Sequence, residues 1–180
     1  MAELEPKAIE VKEGEEVDIE TLSKELEAHN NRNSDRIFVR TNIGNRTKKP
    51  LFPVESHFWH GSTYAKLITL SAPGGYDYPQ FGTPPEGLKY GILYADGDDS
   101  LSRQFLAAVH VPLPVNVDAN NFKVYVEAGP IGPIDWNVVE VKLNMATSNK
   151  AVYDDPIFGG QVHAEVSKER NGYTFISFRN

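Results

Sequence analysis

Leu88-Lys89-Tyr90-Gly91-Ile92-Leu93-Tyr94, Leu101 through Val111-Pro112, and Phe122-Lys123-Val124-Tyr125-Val126 decide how this chain is read. Each is an apolar run of strand length bounded by Gly, Pro, Asn or Asp, the pattern of successive buried strands. The first two are joined by Asp96-Gly97-Asp98-Asp99, which has the composition of a hairpin turn and lacks the later ligands of a calcium loop. Together they predict the middle of a sheet spanning Leu88 to Ala128.

Toward the C-terminus, Gly129-Pro130-Ile131-Gly132-Pro133 breaks the sheet. Trp136 to Met145 then places Val139, Val141, Leu143 and Met145 in alternation, which favours a strand and leaves an amphipathic helix open. Asp154 to Gly160 reads as loop, with Asp154-Asp155 before Pro156 initiating a turn rather than forming a hydrolytic carboxylate pair. The chain closes with Gln161 to Val166 and Tyr173 to Phe178, a strand pair around Asn171-Gly172.

Toward the N-terminus, Pro73 to Gly87 is rich in Pro, Gly and Tyr without an apolar period and predicts a long surface loop. Its Tyr76, Tyr78 and Phe81 either anchor that loop or stack on a sugar. Tyr64 to Leu70 and Leu51 to Trp59 are expected strands, the latter at a sheet edge or irregular because of Pro50 and Pro53. Ile37 to Asn42 is a further strand, with a turn at Gly44-Asn45, and the formal glycosylation acceptor Asn45-Arg46-Thr47 reads as turn chemistry. Before these lie a short strand, Ala8 to Lys12, and a helix capped by Asp18, with Ile19, Leu22 and Leu26 on one stripe. The sum is one domain, residues 1–180: an N-terminal strand and helix over 1–35, and over 36–180 an antiparallel β-sandwich. It has about nine or ten short strands and at least one flanking α-helix.

The length of 180 residues suits a single core, and a hydrophobic fraction of 40% excludes global disorder. A net charge of −7 argues against nucleic acid as a partner and makes membrane association weak. The chain has no cysteine, which removes disulfides and thiolate chemistry. Met1 to Gly14 is acidic and lacks an apolar run, so the expectation is a cytoplasmic protein, with export by a leaderless route as the alternative.

From Leu22 to Gly129 the order of features resembles the actinoporin-like β-sandwich, the superfamily of sea-anemone cytolysins and fungal fruit-body lectins. The matching pieces are Leu22 with Leu26-Glu27-Ala28, the strand and turn Val39 to Thr47, the corner Phe58-Trp59-His60-Gly61-Ser62-Thr63, Gly91-Ile92-Leu93-Tyr94, and Leu106 to Val126 with Val111-Pro112. Ser56-His57-Phe58-Trp59-His60-Gly61 also resembles plant jasmonate-induced stress proteins of about this size. In the cytolysins a phosphocholine headgroup sits between the Gly-Ser corner, a residue before the Val-Pro step and an aromatic cluster beyond it. Carried across, those positions are His60, His110, and Val117, Asp118 and Asn121. Quaternary ammonium sites need aromatic faces supplying about 0.5–2 kcal/mol each. Here that stretch keeps only Phe122, so the resemblance implies the fold without a lytic pore former.

The same alignment brings His60, His110 and Asp118 toward one cavity, with Trp59, Pro112, Asn121 and Tyr125 completing a ligand-binding set. Two imidazoles and a carboxylate could act as general acid, base and orienting partner, or hold a metal. His57 and His60 point to opposite strand faces and form no metal clip of their own. The plainer reading is that these histidines are hydrogen-bonded or exposed residues, and neither metal nor cofactor is expected. The favoured function is a non-catalytic, defence- or stress-related module of the cytolysin or lectin type, recognising a glycan, lipid headgroup or small hydrophobic molecule. The alternatives are a small enzyme acting on a hydrophobic metabolite through His60, His110 and Asp118, and a stress protein working through protein contacts.

Overall fold

The computed structural model describes residues 36–99, 101–113, 121–168 and 172–180. The chain divides into Met1–Asn33 and Ser34–Asn180. The expected N-terminal strand and helix, and Asp118, lie outside the described residues.

Among the described residues there are nine strands: β1 (Ile37–Arg46), β2 (Phe52–His60), β3 (Gly74–Gly82), β4 (Leu88–Ala95), β5 (Arg103–Val111), β6 (Lys123–Pro130), β7 (Lys150–Asp154), β8 (Gln161–Val166) and β9 (Tyr173–Arg179). A helix, Trp136–Met145, lies between β6 and β7. The strands form two sheets, ordered β3-β1-β9-β8-β7 and β2-β4-β5-β6. The chain is therefore mainly β, a two-layer sandwich with a helix on its flank. The three runs that led the sequence reading are the neighbours β4, β5 and β6. β2, with its Pro53, is an edge strand.

Alternation drives the packing. In β4, Leu88, Tyr90, Ile92 and Tyr94 enter the core between the sheets, and Phe105, Ala107 and Val109 of β5 join them from the next strand. Ile43, Ile176 and Phe178 face them from the other sheet, each fully buried. A smaller apolar layer forms on the outer face of the four-stranded sheet, where Leu93, Leu106 and Ala108 receive Val139 and Leu143 of the helix.

Several local expectations are corrected. The segment Pro73 to Gly87 is largely strand β3, because Tyr76, Tyr78 and Gln80 alternate inward while Asp77 and Pro79 point out. The missing N–H of Pro79 is tolerated because β3 is an edge strand. Tyr78 is fully buried, and the Tyr76 and Tyr94 hydroxyls bond at 3.2 Å, so these rings anchor the core. Tyr64 to Leu70 forms no strand; its Leu70 makes an isolated bridge to Leu51. β1 runs straight through Gly44-Asn45. Asn45 is buried and donates from Nδ2 to the carbonyls of Lys49, Leu70 and Ser71, tying two loops together.

Trp136 to Met145 is helical. Asp135 caps it, accepting from the Asn137 and Val138 amides, and Val139 with Leu143 supplies an i, i+4 buried pair. The sandwich is also not wholly antiparallel, since β1 and β9 pair in parallel from Arg40↔Tyr173 to Arg46↔Arg179.

Candidate functional site

β2 approaches its C-terminal end through an irregularity between Phe58 and His60, which sets His60 opposite Lys89 of β4. Lys89 in turn pairs with His110 of β5, and His110 with Lys123 of β6. The predicted corners Trp59-His60-Gly61 and His110-Val111-Pro112 thus do meet at one end of the sandwich. They do so within a single sheet rather than by two layers closing over each other. Lys89 lies between the two histidines, which places their backbones about 10 Å apart at ordinary strand spacing.

The residue that joins them is Glu86, in the turn between β3 and β4. Its carboxylate contacts His60 Nε2, and its carbonyl accepts the His110 Nε2–H at 3.3 Å. Gly87 holds this turn against the second corner: its φ is +87°, and a Cβ there would lie 2.3 Å from the Val111 carbonyl oxygen and 2.9 Å from the Pro112 carbonyl carbon. Burial pushes the His110 imidazole below its ordinary pKa, and the cations Lys89 and Lys123 add to that. The ring is therefore neutral near pH 7, with its donor committed to a backbone carbonyl.

The other predicted residues disperse. Trp59 packs beneath the helix at 5.9 Å from Trp136, and His57 stacks on Trp136 at 5.1 Å. Trp136 donates its indole N–H to Glu55 at 2.8 Å. Pro112 is buried, whereas Asn121 is exposed. Tyr125 lies farther along β6, where its hydroxyl donates to Glu127 and the Lys142 ammonium sits 5.2 Å from its ring centroid. Trp59 and Tyr125 thus support the helix and do not rim a histidine pocket. Among the described residues no group of three His, Cys, Asp or Glu is placed to hold a metal ion.

An open cavity lies at the opposite end of the sandwich. A groove of about 360 Å³ runs between the ends of β5 and β6 and the turn after β7, with Leu106, Ala128 and Ile134 among its lining residues. Tyr153, Ile157 and Phe158 line it from the β7 side, and Gln104, Glu127 and Asp155 supply polar groups. Asp155 is preorganised: its Oδ1 accepts from the Ile157 and Phe158 amides at 2.8 and 3.2 Å. Glu127 accepts from the Lys142 ammonium at 3.1 Å and from Tyr125, whose own pKa is raised by burial and then by Glu127. Gln104 Oε1 accepts the Gly132 amide at 3.2 Å, which leaves its NH2 group as a donor. Sequence reasoning identified the Asp154-Asp155 turn correctly and missed the groove, whose walls come from segments that no short motif links.

No family model matches the chain, and no curated protein matches it in sequence, so neither family resemblance is carried at that level. Similarity appears in three dimensions. The lipid-binding protein Nakanori aligns over 92% of this chain and 82% of its own, with TM-score 0.69 and 13% identity. The Xerocomus chrysenteron lectin XCL aligns over 79% of this chain and 99% of its own, with TM-score 0.51 and 12% identity. At these identities the likeness establishes architecture: the chain has the β-sandwich fold shared by a lipid-binding protein and a fungal lectin.

Proposed function

We propose that the protein is a non-catalytic binding module that recognises a glycan or a lipid headgroup through one end of its sandwich. The observation that carries this reading is the end built from the turns after β4, β6 and β7. It presents Leu101 at 83%, Ile157 at 82%, Phe158 at 42% and Ile131 at 41% exposure, at the same end as the groove. Tyr64, Met145 and Tyr173 are exposed elsewhere, but here Ile157 and Phe158 also line the groove, and exposed apolar side chains bordering a cavity mark an interaction surface. The fold shared with a lipid-binding protein and a lectin supports the same class of function, as analogy.

The acid–base alternative draws less support. Glu86 engages both His60 and His110, on different atoms, and the groove lies at the far end from them. The test is binding of the purified protein to immobilised glycans and to vesicles of graded composition. Saturable binding to one of these, weakened at least tenfold by the double substitution Leu101→Asp, Ile157→Asp, is the expected result. A flat response across both panels overturns the proposal.

A further inference from the structure

Resting on that reading, we infer that the groove between Gln104, Glu127, Gly129, Tyr153 and Asp155 is a site for a neutral pyranose ring, offered either as a free glycan or as the headgroup of a glycolipid. Its volume of about 360 Å³ falls at the small end of ligand sites, the scale of one or two sugar rings. A sugar presents an apolar C–H face and an edge of hydroxyls, and the groove has a counterpart for each. Tyr153 and Phe158, 37% and 42% exposed, offer aromatic surface at the rim, and Leu106 and Ala128 are buried beneath.

The polar groups favour hydroxyls over ions. Asp155 and Glu127 repel a phosphate or carboxylate. Neither needs a cation from the ligand: Glu127 already faces the Lys142 ammonium, and Asp155 is held by two backbone amides. What remains are fixed acceptor oxygens and the Gln104 NH2 donor, arranged before any ligand arrives. Fixed carboxylate acceptors form charge-assisted hydrogen bonds with hydroxyls at little ordering cost.

Gly129 provides the test. It sits in β6 opposite Gln104, and a Cβ there would meet nothing nearer than the Asp155 carboxylate, at 3.7 Å. Gly129→Leu therefore fills the groove without straining the strand, and Tyr153→Ala removes an aromatic face by a different route. Thermal unfolding establishes that both variants fold. Binding is measured with galactosides, glucosides, mannosides and N-acetylhexosaminides in solution, with vesicles of phosphatidylcholine alone, and with the same vesicles carrying a glycosphingolipid. The expected result is sugar-dependent shifts of the Gly129 and Gly160 amide resonances, with affinity falling at least tenfold in each variant. Response to the glycosphingolipid vesicles without response to free sugars assigns the headgroup as the source, provided Gly129→Leu abolishes it. Sugar binding that both variants retain overturns the groove and leaves the binding-module reading standing. Binding to phosphatidylcholine alone overturns the sugar assignment and leaves that reading standing. Silence in every arm overturns the sugar assignment, and the binding-module reading falls only with a flat response across the glycan and graded-vesicle panels above.

Discussion

His110 is neutral at pH 7 because burial opposes its second proton, and every charged neighbour enters that balance. Lys89 and Lys123 flank it on the adjoining strands, and Glu86 approaches from the turn. A histidine pKa depressed in the folded state contributes stability that is present above the unfolded value of 6.5 and is lost as pH falls through the lower, folded value. His110→Gln should therefore flatten the decline in Tm between pH 7 and about 5 relative to the parent, as measured by calorimetry. An unchanged slope would mean that the ring is protonated without cost. Tyr90 behaves in the opposite direction. Burial raises its pKa to about 12, and its hydroxyl lies 2.8 Å from Thr41 Oγ1 in the core. Its neutral form contributes stability that is complete below pH 10 and is lost as pH rises toward 12. Tyr90→Phe should move the alkaline unfolding midpoint upward while lowering stability at pH 7 by about 1 kcal/mol, through the lost hydrogen bond. Both histidines of the corner stood out in the sequence. Glu86 did not, because a glutamate in a Pro-Pro-Glu-Gly turn has no local mark of a partner.

The helix Trp136–Met145 shows how an element's identity depends on what it rests on. Valines in alternation suggested a strand, yet Asp135 supplies a cap and Gly91 leaves a hollow in the outer face of the sheet. A Cβ at Gly91 would lie 2.5 Å from the Trp136 ring, so the indole occupies the space that a side chain would take. Lys89 Nζ reaches Glu140 Oε1 at 2.9 Å and fixes the helix farther along. Asp135→Ala should cost about 1 kcal/mol in urea unfolding by leaving the first amides without an acceptor. Gly91→Val should cost more and shift the Trp136 fluorescence to the red as the ring is displaced into water. Equal stability of Gly91→Val and the parent would show that the indole does not depend on the hollow. The sequence reading did not single out Asp135 as a cap, and the hollow needed Gly91 and Trp136 to be seen together. β3 was obscured for a related reason: Gly and Pro mask a period-two pattern that becomes plain once Tyr78 and Gln80 are found inside.

At the scale of the molecule, the parallel pairing of β1 with β9 joins the first and last described strands and places β9 between β1 and β8. Ile176 and Phe178 are fully buried there. A chain ending at Asn171 should lose its cooperative thermal transition, since both flanking strands would be left with open edges and the core without two of its large side chains. A retained sharp transition would show that the sandwich closes without β9.

The sequence by itself determined the strand runs β4, β5 and β6, the turn at Asp96-Gly97, that β2 is an edge or irregular strand, and the mainly β sandwich class. Burial on alternate residues and turn chemistry are local properties, written within a few positions of one another. Only the tertiary structure decided that Glu86 would stand between His60 and His110, that the first and last described strands would pair in parallel, and that Gln104, Glu127 and Asp155 would share a groove. Each of those depends on which strands become neighbours and in what register. That choice is made by the packing of the two sheets as a whole, and no short segment encodes it.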